Sequence, residues 1–371
     1  MILGIVIRRL GKYGIKLKDI NFWANKKVFV TGNTGFKGSW LSIWLNHLGA
    51  RVNGYSLKPV TKPSLFEEAD IKKSFKTHFL DIRNYDKLRK EVSSFDPEIV
   101  FHLAAQPLVR DSYEDPLKTY ETNILGTANL LESLRYCESI KAIVIITTDK
   151  CYLNKELEGG YVETDELGGH DPYSNSKACC ELVTHSYRES FFKEKEIGVA
   201  TARAGNVIGG GDWAKDRLIP DVVENIANRQ DIEIRFPEAI RPWQHVLEPL
   251  SGYMLLAERL YDSPTEFSEA WNFGPTDQDC KKVKWIVERL ISTFNACSQI
   301  VPQAGSHPHE AKILKLDISK SIDRLDWKPI WRIDEAILNL VSWYKAREEG
   351  KSAWDLCLKD IVNYQSSLAD G

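Results

Sequence analysis

The sequence lacks the cysteine patterns of disulfide-bonded and zinc-binding proteins. Among its 371 residues are seven cysteines and eight histidines, and no two cysteines are spaced as C-x-x-C. An odd number of cysteines without paired spacing argues against a disulfide scaffold and against a structural zinc site. We therefore predict a reducing compartment, the cytoplasm, and no metal site, and we interpret the adjacent Cys179 and Cys180 as packing residues.

Long apolar runs and an excess of basic charge are also missing. No apolar stretch approaches the roughly 18 residues that a membrane span needs, and the formal net charge is −3. This charge argues against nucleic acid or an anionic membrane as a partner. The apolar start of the chain precedes Arg8 and Arg9, which is the reverse of the order in a secretory signal. We interpret residues 1–24 as a tail, with a peripheral membrane anchor as the alternative for residues 1–20.

From about residue 25, short β-rich runs alternate with helical patterns. Strands are expected at Lys27–Thr31, Arg51–Tyr55, Phe79–Ile82, Glu98–Ala104, Lys141–Thr147 and Gly198–Arg203. Helices are expected at Phe36–Leu48, Tyr85–Val92, Leu117–Arg135 and Pro172–Phe191, the last with Asp171 as its N-cap. The alternation predicts an α/β fold with a doubly wound parallel sheet of the Rossmann type, whose ligands bind at the carboxyl ends of the strands.

The alternation ends after about residue 205. The remaining sequence is richer in proline and tryptophan and less regular. Helices are expected near Asp221–Asn228, Leu250–Tyr261, Val283–Asn295 and Ile333–Tyr344. We predict a dinucleotide-binding domain over residues 25–204 and a smaller, partly interleaved substrate lobe over residues 205–371.

A glycine-rich turn follows the first strand and opens a helix. Gly32, Gly35 and Gly38 are spaced as G-x-x-G-x-x-G. Gly32 permits a tight turn, Gly35 lets the backbone approach a pyrophosphate, and Gly38 lets helix and strand pack closely. Because free N–H groups at a helix start attract phosphate, the turn predicts a dinucleotide site. Further contacts are predicted from Thr34, Phe36 and Lys37.

The acid that usually ends the second strand and binds the ribose 2′-hydroxyl is missing, and Tyr55-Ser56-Leu57-Lys58 stands there. This leaves the choice between NAD and NADP open, since Lys58 is either a 2′-phosphate contact or an ordinary surface lysine. Asp81 and Ile82 are predicted to face the adenine, with a turn cap as the alternative for Asp81. The other predicted cofactor contacts are Leu103, Ala104, Ala105 and Thr147.

Tyr173 and Lys177 form a Y-x-x-x-K pair at the start of a predicted helix, so both lie on one face. A phenol at its usual pKa of about 10 is a poor base at neutral pH. A nearby ammonium and a positive nicotinamide ring favour the phenolate and lower its pKa. Such a tyrosine takes a hydroxyl proton while hydride leaves the same carbon. We predict that both residues are catalytic and contact the cofactor; a surface pair is the alternative.

Thr148, Asp149 and Lys150 directly follow the apolar strand KAIVIIT. A parallel sheet keeps its chemistry at this end of its strands. Thr148 can hydrogen-bond a reacting hydroxyl, and Asp149 and Lys150 add an acid and a base beyond what hydride transfer alone requires. We predict that all three are catalytic; a polar turn at the strand end is the alternative.

Several motifs together resemble the CDP-glucose 4,6-dehydratases, which belong to the extended short-chain dehydrogenase/reductase family. The motifs are TGNTGFKGSWL, HLAAQPLVR, TTDKCY, GGHDPYSNSK, ARAGNVIGGGDW, RPWQHVLEPLSGY, NFGP and HPHEA. The similarity extends from about Asn21 to Tyr344. The related dTDP-glucose and GDP-mannose enzymes typically carry Asp-Glu or Ser-Glu where this chain has Asp149-Lys150. Asn33 departs from the family, in which a histidine is expected.

The resemblance implies NAD as the cofactor and CDP-D-glucose as the substrate, with CDP-4-dehydro-6-deoxy-D-glucose and water as products. It makes Tyr173 the base at the sugar O4, Asp149 the acid at O6, and Lys150 the group that acts at C5. A lysine is a base only when neutral, and its reference pKa is about 10.4. Stabilising the enolate is therefore the alternative role for Lys150.

Other implied properties concern the substrate, the subunits and the pathway. The predicted substrate contacts are Gln106, Asn206, Arg217 and Arg241, with the arginines suited to the diphosphate. His245 and the segment His307–His309 are candidates for lining the site, whereas Trp243 is expected in the core. A homodimer is implied, with a tetramer as the alternative, through a four-helix bundle of residues 117–135 and 173–191. The implied pathway is deoxysugar synthesis for a surface polysaccharide such as O-antigen.

Three other functions remain open on the sequence alone. A nucleotide-sugar 4-epimerase would use Tyr173, Lys177 and NAD but would not need Asp149 and Lys150. A 4,6-dehydratase acting on another nucleoside-diphosphate hexose would use the same residues. A non-catalytic NAD(P)-binding regulator would need none of them, and their joint presence argues against it.

Overall fold

Seven parallel strands form the central sheet of the computed structural model, which describes residues 21–302 and 312–370. The strands are β1 (Lys27–Thr31), β2 (Arg51–Ser56), β3 (Lys76–Phe79), β4 (Ile99–His102), β5 (Ala142–Ile146), β6 (Gly198–Ala204) and β11 (Ala270–Phe273). Their order across the sheet is β11-β6-β5-β4-β1-β2-β3. The order reverses between β1 and β4, where a doubly wound sheet opens a crevice for ligands. The predicted fold class is confirmed.

Helices follow most of these strands, as the sequence predicted. In the first half they are α1 (Phe36–His47), α2 (Leu65–Glu68), α3 (Tyr85–Phe95), α4 (Val109–Glu114), α5 (Pro116–Tyr120), α6 (Gly126–Leu134) and α7 (Pro172–Tyr187). Asp171 caps α7, since its Oδ1 accepts a hydrogen bond from the backbone N–H of Ser174 at 2.9 Å. A side-chain cap of this kind satisfies one of the free N–H groups of the first turn.

The third strand lies earlier in the chain than predicted. Residues 76–79 pair in register with residues 53–56 of β2, so Asp81 and Ile82 belong to the loop after the strand. The prediction of a strand at Phe79–Ile82 is wrong because that apolar run follows an edge strand whose residues are exposed or half-buried. Ile82 packs into the core from the loop instead.

The long helices predicted at 117–135 and 172–191 are each interrupted. A π-helical turn, Glu121–Leu125, separates α5 from α6, and a second one, Arg188–Phe192, follows α7. At the first turn the carbonyl of Asn123 accepts from Thr127 Oγ1 at 2.6 Å and from Cys180 Sγ at 3.1 Å. Side-chain donors that compete for a helical carbonyl disturb the regular ladder, which periodicity alone does not reveal.

The second half of the chain both completes the sheet and forms a separate lobe. Its helices are α8 (Leu218–Ala227), α9 (Leu247–Asp262), α10 (Pro264–Phe267), α11 (Val283–Phe294), α12 (Ser319–Leu325), α13 (Ile333–Glu348) and α14 (Ala353–Asp370). Its short strands are β7 (Val207–Ile208), β8 (Ile232–Ile234), β9 (Ile240–Pro242), β10 (Gln244–His245), β12 (Cys280–Lys282) and β13 (Ile300–Pro302), paired as β7–β10, β8–β13 and β9–β12. Residues 270–273, which the sequence did not predict as a strand, form the outer strand β11 beside β6. The domain division at residue 205 stays a prediction.

The two faces of the sheet support two hydrophobic cores. The larger core contains most of the tryptophans, and Trp40, Trp44, Trp271 and Trp343 are almost completely buried in it. Trp243 is also buried there, and its indole N–H donates to the carbonyl of Lys281 at 3.0 Å, which confirms its predicted core position. None of the described helices is both long and apolar enough to cross a membrane.

Glu248 in α9 is a carboxyl group buried inside this core. It accepts hydrogen bonds from the backbone N–H groups of Trp331 (2.6 Å) and Ile330 (3.0 Å) and from the hydroxyl of Tyr364 (2.7 Å). Burial raises its pKa to about 7, against the lowering effect of these hydrogen bonds. Glu248 therefore links α9 to the start of α13 and to α14. Burial makes its carboxyl group favour the protonated form.

We expect Glu248 to make the protein less stable as the pH rises from about 4.5 to 7. Over this range the folded chain retains a proton that the unfolded chain has released, so stability falls by up to about 3 kcal/mol. In Glu248→Gln the neutral amide resembles the protonated carboxyl, and this fall should disappear. Urea unfolding of both proteins at pH 5 and pH 8 measures the difference. An identical pH dependence in the two proteins would contradict the assignment.

Candidate active site at the carboxyl ends of the strands

The glycine turn after β1 has the backbone shape that the sequence predicted. Gly32 has a φ of 73°, and a Cβ on it would lie 2.6 Å from the backbone nitrogen of Ala104. A Cβ on Gly38 would lie 2.1 Å from the carbonyl oxygen of Gly32. Gly35 is the exposed N-cap of α1 and provides no side-chain cap. The turn is therefore tight against β4, and the first N–H groups of α1 face outward for an anion.

Side chains inside this turn hold it to the neighbouring strands. Thr34 Oγ1 lies 2.7 Å from Ser56 Oγ and donates to the carbonyl of Leu57 at 2.9 Å. The amide of Asn33 is buried and donates to Thr77 Oγ1 at 2.9 Å. Thr34 thus fixes the end of β2 next to the turn, and Asn33 packs beneath the turn.

The two residues predicted to face the adenine have different surroundings. Asp81 accepts from the Arg83 guanidinium at 2.8 and 3.1 Å, and this pair holds the pKa of Asp81 below its ordinary value. Arg83 also donates to Glu121 at 2.9 Å. Ile82 is buried beside Gly126, where a Cβ would lie 2.8 Å from an Ile82 methyl group. Lys58, at the end of β2, is exposed.

The segment after β4 closes the other side of the turn. The backbone N–H groups of Leu103 and Ala104 donate to Thr31, at 3.1 Å to its carbonyl and at 3.2 Å to its hydroxyl. Ala105 follows them, half-buried. The side chain of Gln106 bonds within the chain, to Leu108 and Thr119. Gln106 shapes this loop through both of its side-chain polar atoms, so its predicted contact with substrate stays a prediction.

Tyr173 and Lys177 both point to the end of β5. The Lys177 ammonium donates to the carbonyl of Ile146, the last residue of β5, at 3.0 Å, and the Tyr173 hydroxyl lies close enough to Thr148 for the threonine to act on its pKa. Burial raises the pKa of Tyr173, while Thr148 and Arg217 act in the lowering direction. The ammonium of Lys177 is directed at the strand carbonyl, and the predicted lowering of the Tyr173 pKa by Lys177 stays a prediction.

A 3₁₀ turn, Asp149–Cys151, follows β5, and Thr148 is its N-cap. Thr148 Oγ1 donates to Asp149 Oδ1 at 3.0 Å and accepts from the backbone N–H of Lys150 at 3.3 Å. Asp149 is 2% exposed, and among the described residues its Oδ2 has no hydrogen-bond partner. A Cβ on Gly205 would lie 2.9 Å from this oxygen. The turn therefore holds a buried carboxylate oxygen that has no partner among the described residues, on a carboxylate close enough to Tyr173 to act on its pKa.

Lys37 reaches the same group of residues from α1. Its ammonium donates to the hydroxyl of Tyr253 at 3.2 Å. Burial lowers the pKa of Lys37 to about 7; the charges of Arg217 and Lys177 act in the same direction, and Asp149 opposes them. Lys37, predicted as a phosphate-turn contact, is thus also close to the catalytic carboxylate. Tyr253 was not predicted as a site residue, although it ends the quoted motif RPWQHVLEPLSGY.

The predicted substrate residues of the second lobe differ in how close they lie to Tyr173. Arg217 donates to Asp212 Oδ2 at 3.0 Å and is near enough to Tyr173 to act on its pKa. Arg241 is buried, and its guanidinium donates to the carbonyl of Ile240 at 2.8 Å. Asn206 is half-buried beside the strand pair β7–β10.

Other residues considered from the sequence lie around these. His245 is buried between the rings of Trp40 and Trp331, and burial lowers its pKa to about 3. Trp213 packs edge-on against Trp343. The segment His307–His309 lies outside the described residues. Within the described ranges, no group of three or more His, Cys, Asp or Glu side chains is arranged to hold a metal ion.

Comparison with known proteins decides the family. The family model described as GDP-mannose 4,6 dehydratase matches residues 29–340. The chain belongs to this dehydratase family. A CDP-glucose 4,6-dehydratase of Salmonella typhimurium is 51% identical over 354 residues, which cover 94% of this chain and 99% of that protein. The resemblance inferred from the motifs is confirmed.

More distant members and structures share the fold of the dehydratase family. A UDP-glucose 4-epimerase of Pisum sativum is 22% identical, and the match covers 89% of this chain and 98% of that protein. The crystal structure of a dTDP-glucose 4,6-dehydratase from Bacillus anthracis in complex with NAD has a TM-score of 0.73 at 22% identity, covering 87% of this chain and 98% of that one. At this identity the structural likeness concerns the fold alone.

We expect Gly32→Ala to abolish dinucleotide binding, because the added methyl group would collide with the backbone of Ala104. Gly49→Ala is a matched control, since Gly49 also has a left-handed φ of 81° but its Cβ would meet Ala24 at an ordinary 3.7 Å. The control should lose about 1–2 kcal/mol of stability for the backbone conformation alone and keep its affinity. Fluorescence titration with NADH and urea unfolding measure both effects. Equal NADH affinity in the two variants would contradict the assignment of the glycine turn as the dinucleotide site.

Proposed function

We propose that this chain converts CDP-D-glucose to CDP-4-dehydro-6-deoxy-D-glucose and water, moving hydride from C4 to C6 of the sugar with the help of bound NAD. The observation that carries the proposal is the buried carboxylate of Asp149, which accepts from the Thr148 hydroxyl through Oδ1 at 3.0 Å and whose Oδ2 has no partner among the described residues. Of the chain's acid–base residues, hydride transfer at C4 needs only the tyrosine, whereas loss of the 6-hydroxyl also needs an acid. The relative that is 51% identical over nearly the whole chain supports CDP-glucose as the substrate.

The glycine turn fits NAD. Its backbone leaves no room for a Cβ at Gly32 or Gly38 and presents the start of α1 to a pyrophosphate. The adenine of NAD is proposed to contact Asp81 and Ile82. The nicotinamide half is proposed to lie along the loop of residues 103–105. When bound, NAD supplies the acceptor of the C4 hydride and its donor to C6. The chain's own residues move the protons.

Tyr173 takes the proton from the sugar 4-hydroxyl as the C4 hydride leaves. Thr148 lies next to the tyrosine. Its hydroxyl group hydrogen-bonds the same sugar 4-hydroxyl and orients it. Because burial raises the pKa of Tyr173, the phenolate needs positive charge close by in the complex. Lys177, Arg217 and a cationic nicotinamide ring are the sources that we propose.

Asp149 protonates the 6-hydroxyl as it departs. The 4-ketone left by loss of the C4 hydride acidifies the C5 hydrogen, so the proton at C5 leaves as the C6–O bond breaks, and one water is released. A proton returned to C5, together with the hydride that bound NAD would supply to C6, completes the 6-deoxy product. The oxygen Oδ2 of Asp149 faces the site without a partner among the described residues and is therefore free for this transfer. Lys150 acts at C5, either as the base or by stabilising the enolate.

The second lobe is proposed to bind the nucleoside diphosphate. Arg217 lies near enough to Tyr173 for its charge to lower the pKa of the tyrosine. Arg241 and Asn206 are proposed as the further contacts, with Gln106 across the crevice. A planar guanidinium suits a diphosphate because it donates to two oxygens at once.

We also propose a homodimer that works in the cytoplasm on deoxysugar synthesis for a surface polysaccharide such as O-antigen. The segment of α5 to α6 and helix α7 carry exposed apolar side chains on the surface. Leu117 is 74% exposed, Leu125 57% and Leu182 58%. Large apolar side chains at this exposure favour a partner surface, and a second copy of the same helices satisfies the symmetry of a dimer.

Incubation of the purified protein with CDP-, dTDP-, UDP- and GDP-glucose tests the function. Mass spectrometry should detect a product lighter by one water from CDP-glucose, with no net change in NAD. CDP-glucose labelled with deuterium at C4 should carry the label to C6. Asp149→Asn should slow water loss by about a hundredfold or more. Formation of CDP-galactose without loss of water would instead support a 4-epimerase, and preference for another nucleotide would change the substrate.

Lys150→Met separates the two roles of the lysine at C5. If Lys150 is the base, exchange of the C5 hydrogen with solvent deuterium should fall in proportion to turnover. If it only stabilises the enolate, turnover should fall while the rate of C5 exchange stays near that of the wild type. Mass spectrometry of the product formed in deuterium oxide measures the exchange. An unchanged rate of exchange eliminates the lysine as base.

A further inference from the structure

A buried ion pair that no part of the proposed reaction uses lies directly behind the catalytic residues. Glu181 is one helical turn after Lys177 on α7, and Arg203 lies on β6. Arg203 donates to both carboxylate oxygens, through Nε at 3.0 Å and Nη2 at 2.9 Å. The two side chains are 4% and 3% exposed. A fork-to-fork pair inside a protein is geometrically specific.

Glu181 is also bonded to the strand that carries the catalytic turn. The hydroxyl of Thr147, the residue before Thr148, donates to Glu181 Oε1. Thr201 on β6 donates to Oε2 at 2.5 Å. Each carboxylate oxygen therefore accepts two hydrogen bonds, and the carboxylate joins α7 to the ends of β5 and β6.

The other end of the pair reaches the second lobe. Arg203 Nη1 donates to the hydroxyl of Tyr152 at 2.7 Å and to the carbonyl of Glu163 at 3.1 Å. Tyr152 in turn donates to Asn272 on β11 at 2.7 Å. A satisfied buried network of this kind holds a single arrangement, here from α7 through the sheet to β11.

We propose that Glu181, held by Arg203, is a positioning residue of the active site: it fixes Thr147 behind the turn that follows β5 and places a buried negative charge one helical turn from Lys177. Glu181 touches neither substrate nor cofactor in this arrangement. It acts through Lys177 and through the backbone that bears Thr148. The inference rests on the proposed function only for its kinetic readout.

The electrostatics around Lys177 agree with this role. Burial lowers the pKa of Lys177, and Glu181 is among the groups that raise it. The charges and titratable groups that face this ammonium from all sides are Cys180 and Glu181 on α7, Cys151 after β5, His102 on β4 and Lys37 on α1. Burial raises the pKa of both cysteine thiols and lowers that of His102. Glu181 is therefore the carboxylate among these groups that opposes the desolvation of Lys177.

The test compares Glu181→Gln with Thr201→Val. Glu181→Gln keeps the shape of the side chain but removes its charge, so Lys177 should lose its proton at lower pH. The alkaline limb of the profile of kcat against pH should then move down by about one unit, with at least about a tenfold loss of kcat at pH 8. Thr201→Val removes one hydrogen bond to the same carboxylate without changing charge. It should lower the thermal midpoint and leave the pH profile in place.

NMR of protein labelled with ¹³C at the lysine Cε makes the result independent of turnover. The Lys177 resonance is assigned by its absence in Lys177→Arg, and its titration midpoint should be lower in Glu181→Gln than in the wild type. An unchanged midpoint overturns the inference, whether or not CDP-glucose is a substrate. A wild type that dehydrates no nucleotide sugar but shows the shifted midpoint overturns the proposed function and leaves the positioning role standing.

A second variant covers a failure of Glu181→Gln to fold, since it leaves the Arg203 charge buried without its partner. Glu181→Gln/Arg203→Met removes both charges together. Its Lys177 midpoint should also lie below that of the wild type, by less than in the single variant, because the more distant positive charge is lost as well. Identical midpoints in the double variant and the wild type would overturn the inference.

Discussion

The hydrogen bond from the Lys177 ammonium to the Ile146 carbonyl joins the catalytic helix to the end of β5. Because the next residues of the chain form the catalytic turn, this contact sets the position of Tyr173 against Thr148 and Asp149. A parallel sheet brings the carboxyl ends of its strands to one edge, which makes such a contact available. The dehydratase chemistry proposed for this chain depends on that alignment, and so does the placement of a dinucleotide on the glycine turn beside it.

Charge is the second constraint on the site, because burial shifts the pKa of three ionisable groups within it. The pKa of Lys37 is lowered to about 7, that of Lys177 is lowered, and that of Tyr173 is raised, all chiefly by burial. Perturbed values of this kind gather at functional sites. A tyrosine that has to act as a base in such surroundings depends on cations brought by its ligands. This links catalysis to occupation of the cofactor site.

Family membership and local geometry answer different questions about this protein. The match to the dehydratase family and the 51% identical relative place the chain among enzymes that act on nucleotide sugars. Distant epimerases share the same fold, so the fold does not separate the two reactions. The buried carboxylate of Asp149, with one oxygen unpartnered among the described residues, is the feature that favours loss of water over simple epimerisation.

The sequence by itself determined the parallel sheet, the glycine turn and the cap of α7, and it singled out Tyr173, Thr148 and Asp149 as candidate site residues, because short-range patterns along strands, turns and helices carry these signals. Only the tertiary structure decided that Lys37 reaches the hydroxyl of Tyr253, that residues 270–273 complete the sheet, and that Gln106 bonds within its own loop. The same holds for Glu181 and Arg203, which look like ordinary charged residues in the sequence. Their partners lie on different strands and helices, and no local pattern specifies which distant groups burial brings together.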